Sequence, residues 1–209
     1  MKYIGCRLLV CLALLSVCFS CGSNRNFGRK KTDVGKGLSE SDQRKFDYFF
    51  LEADRMKNLG KQDAAFDLLQ QAAAIDTSSA VVKYNLANYY LHLKKPQLAY
   101  DCLKEAAEKS PDNYWYNVMA ANLAQNLGDA EQAISLIRRM IEYNPNKPEL
   151  NYMLAEVYAQ KGDFQQAIDA YNQLEQSMGV VEPIILQKVK LYKALKQDDK
   201  AFAEVQRLI

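Results

Sequence analysis

A chain of 209 residues with 27 basic and 25 acidic side chains, nine glycines and 49% hydrophobic residues has the make-up of one or two globular domains, not of a disordered segment. The charge divides along the chain: residues 22–45 hold seven basic and three acidic side chains, residues 46–209 hold 18 and 22. A body that is net acidic lacks the basic face that phosphate contacts demand, so nucleic acid is excluded as the expected partner.

The chain begins "MKYIGCRLLVCLALLSVCFSC". Lys2 and Arg7 lead into an apolar run from Leu8 to Phe19, too short for a finished bilayer span but suited to the core of a signal peptide over residues 1–20. Small Ser20 stands directly before Cys21, and the pair resembles the cleavage motif of bacterial lipoproteins. That resemblance implies lipid attachment at Cys21. Cys18 departs from it by standing where such motifs carry leucine, and bulky Val17 makes Cys18 itself a poorer site. An uncleaved anchor or plain secretion are the alternatives. Gly22 follows the cysteine where an aspartate would imply inner-membrane retention, so the resemblance implies the outer membrane, on its periplasmic face. Residues 21–45, with "GSNRNFGRKKTDVGKGLSESDQ", mix Gly, Ser, Asn and charge without apolar periodicity and read as a flexible basic tether. Its "GRKK" reads first as solvated linker, although basic residues near anionic lipid gain about 1 kcal/mol each.

From residue 46 onward one pattern recurs. Alanine stands at 65, 99, 133, 167 and 201, always 34 residues apart, followed four residues later by Leu69, Leu103, Ile137, Tyr171 and Val205. Twelve residues before each alanine come Ala53, Ala87, Ala121, Ala155 and Val189, and three beyond those Met56, Tyr90, Ala124, Tyr158 and Tyr192. Each unit splits into two helical patterns around Gly60, Lys94, Gly128, Gly162 or Lys196, where glycine takes a left-handed backbone cheaply. Asp129 and Asp163 follow the turn at the next N-cap, with Gln132 and Gln166 three residues on, so a capping box is predicted at both. One hairpin cannot bury its apolar face alone, and stability must come from stacking.

A fixed 34-residue period of this kind resembles the tetratricopeptide repeat. The family's turn glycine is present as Gly60, Gly128 and Gly162, and its terminal proline as Pro111 and Pro145. Its leading tryptophan is largely lost, to Phe49, Lys83, Asn117, Asn151 and Ile185. The resemblance implies an all-α, right-handed solenoid of about five helix-turn-helix repeats: 46–79, 80–113, 114–147, 148–181 and an incomplete 182–209. It also implies that the first helix of each pair lines a concave face. That places Phe50, Tyr84, Val118, Tyr152 and Leu186 in one row and Asp54, Asn88, Asn122, Glu156 and Lys190 in the next, with Trp115 at the edge. Phe50, Asp54, Tyr84, Asn88, Trp115, Asn122, Tyr152 and Glu156 are therefore the candidate partner-binding residues. Rings supply apolar area and side-chain amides pair with a peptide backbone. Relatives that clamp a C-terminal carboxylate use lysines in this row, so that partner class is disfavoured.

Nothing in the sequence assembles a catalytic or metal site. His92 is the only histidine and Cys102 the only cysteine after residue 21, and no glycine-rich phosphate loop is present; neither enzyme activity nor a cofactor is expected. The reading is a membrane-anchored scaffold that binds other proteins of the bacterial cell envelope. The alternatives are a component of a carbohydrate-uptake lipoprotein system, or the repeat region of a larger protein with a catalytic domain beyond residue 209. Phe202, Val205, Leu208 and Ile209 form an apolar stripe that further chain or self-association is expected to cover.

Overall fold

The computed structural model describes residues 37–208; the readings for residues 1–20, for lipid at Cys21 and for most of the tether lie outside them. Among the described residues there are ten α-helices and no strand: α1 (Glu40–Asn58), α2 (Gln62–Ile75), α3 (Ala80–His92), α4 (Pro96–Lys109), α5 (Tyr114–Asn126), α6 (Ala130–Tyr143), α7 (Glu149–Lys161), α8 (Phe164–Met178), α9 (Glu182–Ala194) and α10 (Asp198–Gln206). The even-numbered helices begin 34 residues apart each time, so the sequence register is the structural one. Close backbone approaches run between helices adjacent in the chain, as in a solenoid of stacked hairpins. No described helix is long and apolar enough to cross a membrane.

The small-residue positions are small because two helices cross there. Ala65, Ala99, Ala133, Ala167 and Ala201 are all buried, and so are Ala53, Ala87, Ala121 and Ala155. Without a long side chain, the odd and even helices of a pair approach closely, and Leu69, Leu103, Ile137 and Tyr171, one turn along the even helices, are buried as well. A bulky residue at Ala133 would overpack that crossing, at about 1–3 kcal/mol.

All five hairpin turns share one geometry. Gly60, Gly128 and Gly162 have φ of 74°, 83° and 90°, and Lys94 and Lys196 hold φ of 55° and 58°. The residue after each donates its N–H five residues back, as Lys95 does to the Tyr90 carbonyl and Asp129 to that of Ala124, at 2.8 and 2.9 Å. This is the 6→1 bond of a left-handed helix ending.

The same bond prevents the capping boxes. The backbone N–H groups of Asp129 and Asp163 are already donated to Ala124 and Tyr158, so no donor remains for Gln132 or Gln166 to reach. Asp129 still caps α6, accepting from the Gln132 N–H at 3.2 Å. Asp163 makes no side-chain cap; its carboxylate takes the Lys161 ammonium at 2.6 Å instead.

The tether is also shorter than the reading of 21–45. Helix α1 begins at Glu40, six residues ahead of the apolar register. Ser39 caps it: its Oγ accepts from the Asp42 N–H at 3.1 Å and donates to Asp42 Oδ2 at 2.8 Å. Arg44 pairs with Glu40 at 3.1 Å one turn along. An exposed polar first turn carries no apolar periodicity, so the repeat register alone starts the helix late.

Candidate functional site: the face of the first helices

The candidate residues lie on the odd-numbered helices, spread over four repeats. Phe50 is half-buried, its ring parallel to that of Phe46 at 6.0 Å. Phe50 and Asp54 line a shallow groove with Asn85 and Tyr89 of α3. Sequence reasoning did not single out Tyr89; it lies at the same register as buried Leu123 and Val157 and reads as core. Its hydroxyl is buried without a hydrogen-bond partner. Burial, and then the carboxylate of Asp54, pushes that hydroxyl above the ordinary phenol range, so it stays protonated.

In the second and third repeats, Tyr84 packs its ring against Tyr116 at 4.8 Å and is half-buried. Asn88 spends one amide donor on the Tyr84 carbonyl at 3.0 Å, which fixes its side chain along its own helix. Asn122 is exposed and keeps its amide open toward solvent. Trp115 is 67% exposed, its ring edge-to-face with Tyr114 at 5.3 Å. Gln125 donates to Gln160 of α7 at 2.8 Å, so an amide pair joins the first helices of the third and fourth repeats.

In the fourth repeat, Tyr152 is 41% exposed and meets the buried ring of Tyr171 edge-on at 5.9 Å. Glu156 is less available than the sequence reading has it. Its carboxylate accepts the Tyr171 hydroxyl, and burial together with that bond holds the phenol far up and neutral. Glu156 is thus anchored, while Tyr152 beside it is free on one face. Beside Tyr152, a cavity of about 340 Å³ is lined by Pro148, Leu174, Met178, Val181 and Ile184. No single stretch of sequence marks it, because its walls come from the start of α7, the second half of α8, the loop after it and the start of α9.

Other chemistry is structural. Asn117, fully buried at the place of the family tryptophan, donates to the carbonyls of Asn113 and Pro111 at 2.7 and 3.2 Å and accepts from Arg139 at 2.7 Å. Buried Lys188 binds Glu175 at 2.9 Å and Glu204 at 2.6 Å, and Arg207 reaches the same two carboxylates. Exposed His92 ends α3. Half-buried Cys102 has its thiol pushed up, first by burial. No cluster of three or more metal-ligating side chains occurs among the described residues.

Models of the tetratricopeptide repeat match residues 80–113, the second unit of the register, and residues 118–179, within the third and fourth. No curated protein sequence matches the chain. Among solved structures it is similar to MamA, at a TM-score of 0.64 and 17% identity over 78% of this chain and 90% of that one. It is similar to YrrB, described as a TPR protein with an unusual peptide-binding site, at 0.62 and 16% over 80% and 90%. A MamA chain from Desulfovibrio magneticus RS-1 gives 0.59 and 12% over 78% and 92%. At these identities the likeness is one of fold, and that fold is typically a non-catalytic scaffold for protein–protein contacts. Five stacked hairpins in one 34-residue register, with repeat models matching residues 80–113 and 118–179 inside it, show a tetratricopeptide repeat protein.

Proposed function

We propose that the protein is a lipid-anchored scaffold of the bacterial cell envelope that binds peptide-like segments of other envelope proteins along the face of its first helices. One observation supports the binding face above all. Trp115 and Tyr152 remain 67% and 41% exposed on the side where Tyr84 and Phe50 are also only partly covered, and Tyr152 borders an apolar cavity. Rings held at a surface by rigid helices are the usual anchors of protein contacts, because they bring large apolar area at little entropic cost. The open amide of Asn122 lies in the adjacent row and suits a partner's backbone. The peptide-binding site of YrrB is consistent with this use of the fold. The anchor at Cys21 and the periplasmic face of the outer membrane rest on the leader and on Gly22.

The binding reading is tested with the double variant Tyr84→Ala with Asn122→Ala against a partner recovered by crosslinking from detergent-solubilised membranes. Affinity should fall by roughly 1–4 kcal/mol, a hot-spot ring plus a polar contact, with helical content unchanged. Unchanged affinity would remove the partner from this face. For the anchor, mass spectrometry of the mature protein should find acyl mass on Cys21, and Cys21→Ser should leave the chain unprocessed or free in the periplasm. An unmodified, processed Cys21 would overturn it.

A further inference from the structure

The first repeat presents a face that later repeats bury. The third position of each unit is Tyr48, Val82, Tyr116, Leu150 and Ile184. Val82 and Leu150 are fully buried and Ile184 is 4% exposed, but Tyr48 is 63% exposed. The tenth position repeats the contrast: Leu123, Val157 and Leu191 are buried, whereas Arg55 is exposed. Leu51, 67% exposed, lies three residues from Tyr48 and four from Arg55, hence on the same side of α1.

The fifth repeat presents the opposite face. At its twenty-first position Phe202 is 64% exposed, where Tyr100, Ile134 and Ile168 are buried. Val205 and Leu208 are exposed as well, where Leu103 and Leu174 of earlier repeats are buried. These two kinds of face already mate inside the molecule. Phe66, at the twenty-first position of the first repeat, meets Tyr89 and Tyr90, at the tenth and eleventh positions of the second, with ring centroids 5.5 and 5.6 Å apart.

We propose that a second copy of this chain covers them: α1 of one molecule seats on α10 of another and continues the 34-residue stack from copy to copy. The argument for this occupant is continuity. Both faces are made of the register positions that fit one another between consecutive repeats of a single chain. By that template Arg55 of one copy lies against the Phe202 ring of the other, a cation over an aromatic face. Tyr48 and Leu51 then meet the apolar strip of Val205 and Leu208. The two faces differ, so the contact is head-to-tail and does not close on itself. Each interface is only one repeat wide, so association is concentration-dependent, which suits molecules crowded at a surface.

The test uses two differently tagged full-length chains, mixed in dilute non-ionic detergent and captured through one tag. Wild-type chains should co-capture each other. Tyr48→Glu should not capture Tyr48→Glu, nor Phe202→Glu capture Phe202→Glu, each falling about tenfold or more because a carboxylate enters an apolar contact. A mixture of Tyr48→Glu with Phe202→Glu should co-capture again, since one copy keeps an intact α10 face and the other an intact α1 face. The double variant carrying both changes should capture neither itself nor wild-type-level partners, which controls for shared micelles. Circular dichroism should be the same for all, as both side chains are exposed. Absence of wild-type co-capture beyond the double variant, retention of either self-pair, or failure of the mixed pair would each overturn head-to-tail stacking.

Discussion

Replacing Lys188 by methionine tests what holds the fifth hairpin to the fourth. Lys188 is 1% exposed, and its ammonium lies 2.9 Å from Glu175 of α8 and 2.6 Å from Glu204 of α10; those side chains are 8% and 12% exposed. Charge-assisted hydrogen bonds of this kind contribute about 1.5–3 kcal/mol each, and breaking a buried pair by removing one member costs about 3–5 kcal/mol. Arg207, at 3.0 and 2.6 Å from the same carboxylates and 38% exposed, keeps part of the charge balance. The net loss should therefore be about 2–4 kcal/mol. Because helix α10 is only nine residues long and stability in a solenoid is summed between neighbours, the loss should appear locally. Amide hydrogen exchange should show protection in α9 and α10 falling by roughly 30-fold to 1,000-fold while α5 and α6 are unchanged. A triple replacement, Lys188→Leu with Glu175→Leu and Glu204→Leu, should recover most of it, since an apolar cluster needs no compensation for desolvated charge. Protection within about threefold of wild type in Lys188→Met would refute the reasoning.

Lys94→Gly and Lys196→Gly should each stabilise the chain by about 0.5–1 kcal/mol in urea unfolding, because the left-handed backbone costs lysine more than the entropy glycine loses; a destabilisation would contradict the φ values at these turns. Asn117→Leu should destabilise by about 1–3 kcal/mol, since it removes the side-chain acceptor of half-buried Arg139 and the amide donor to the Pro111 carbonyl; the midpoint of urea unfolding reports it. Cys102 should react with a thiol-directed maleimide more slowly than a free cysteine at pH 8, with the rate still rising above that pH, because burial raises its pKa and reduces the thiolate fraction. A rate equal to that of free cysteine would show the thiol to be unperturbed.

The 34-residue register was legible in the sequence because it is local. A small residue every 34 positions marks each helix crossing, and the apolar spacing around it marks which side of each helix is covered. Buried Ala65, Ala99, Ala133, Ala167 and Ala201, and left-handed turns at Gly60, Gly128 and Gly162, follow from that pattern without knowledge of any distant contact. Lys94 and Lys196 could be placed at turns by the same register, although their composition alone argues against a positive φ. What the tertiary structure decided is which polar and aromatic groups are already spent. Lys188 looks like an exposed helix residue until two carboxylates from different helices enclose it. Glu156 looks like a free acid until Tyr171 donates to it, and Asn117 looks like a lost tryptophan until Arg139 and three carbonyls satisfy it. Tyr152 gains its apolar neighbours only when α7, α8 and the start of α9 converge. Periodicity encodes which face of a helix turns inward; whether a polar group on that face is satisfied depends on pairings between helices, which no single stretch of sequence contains.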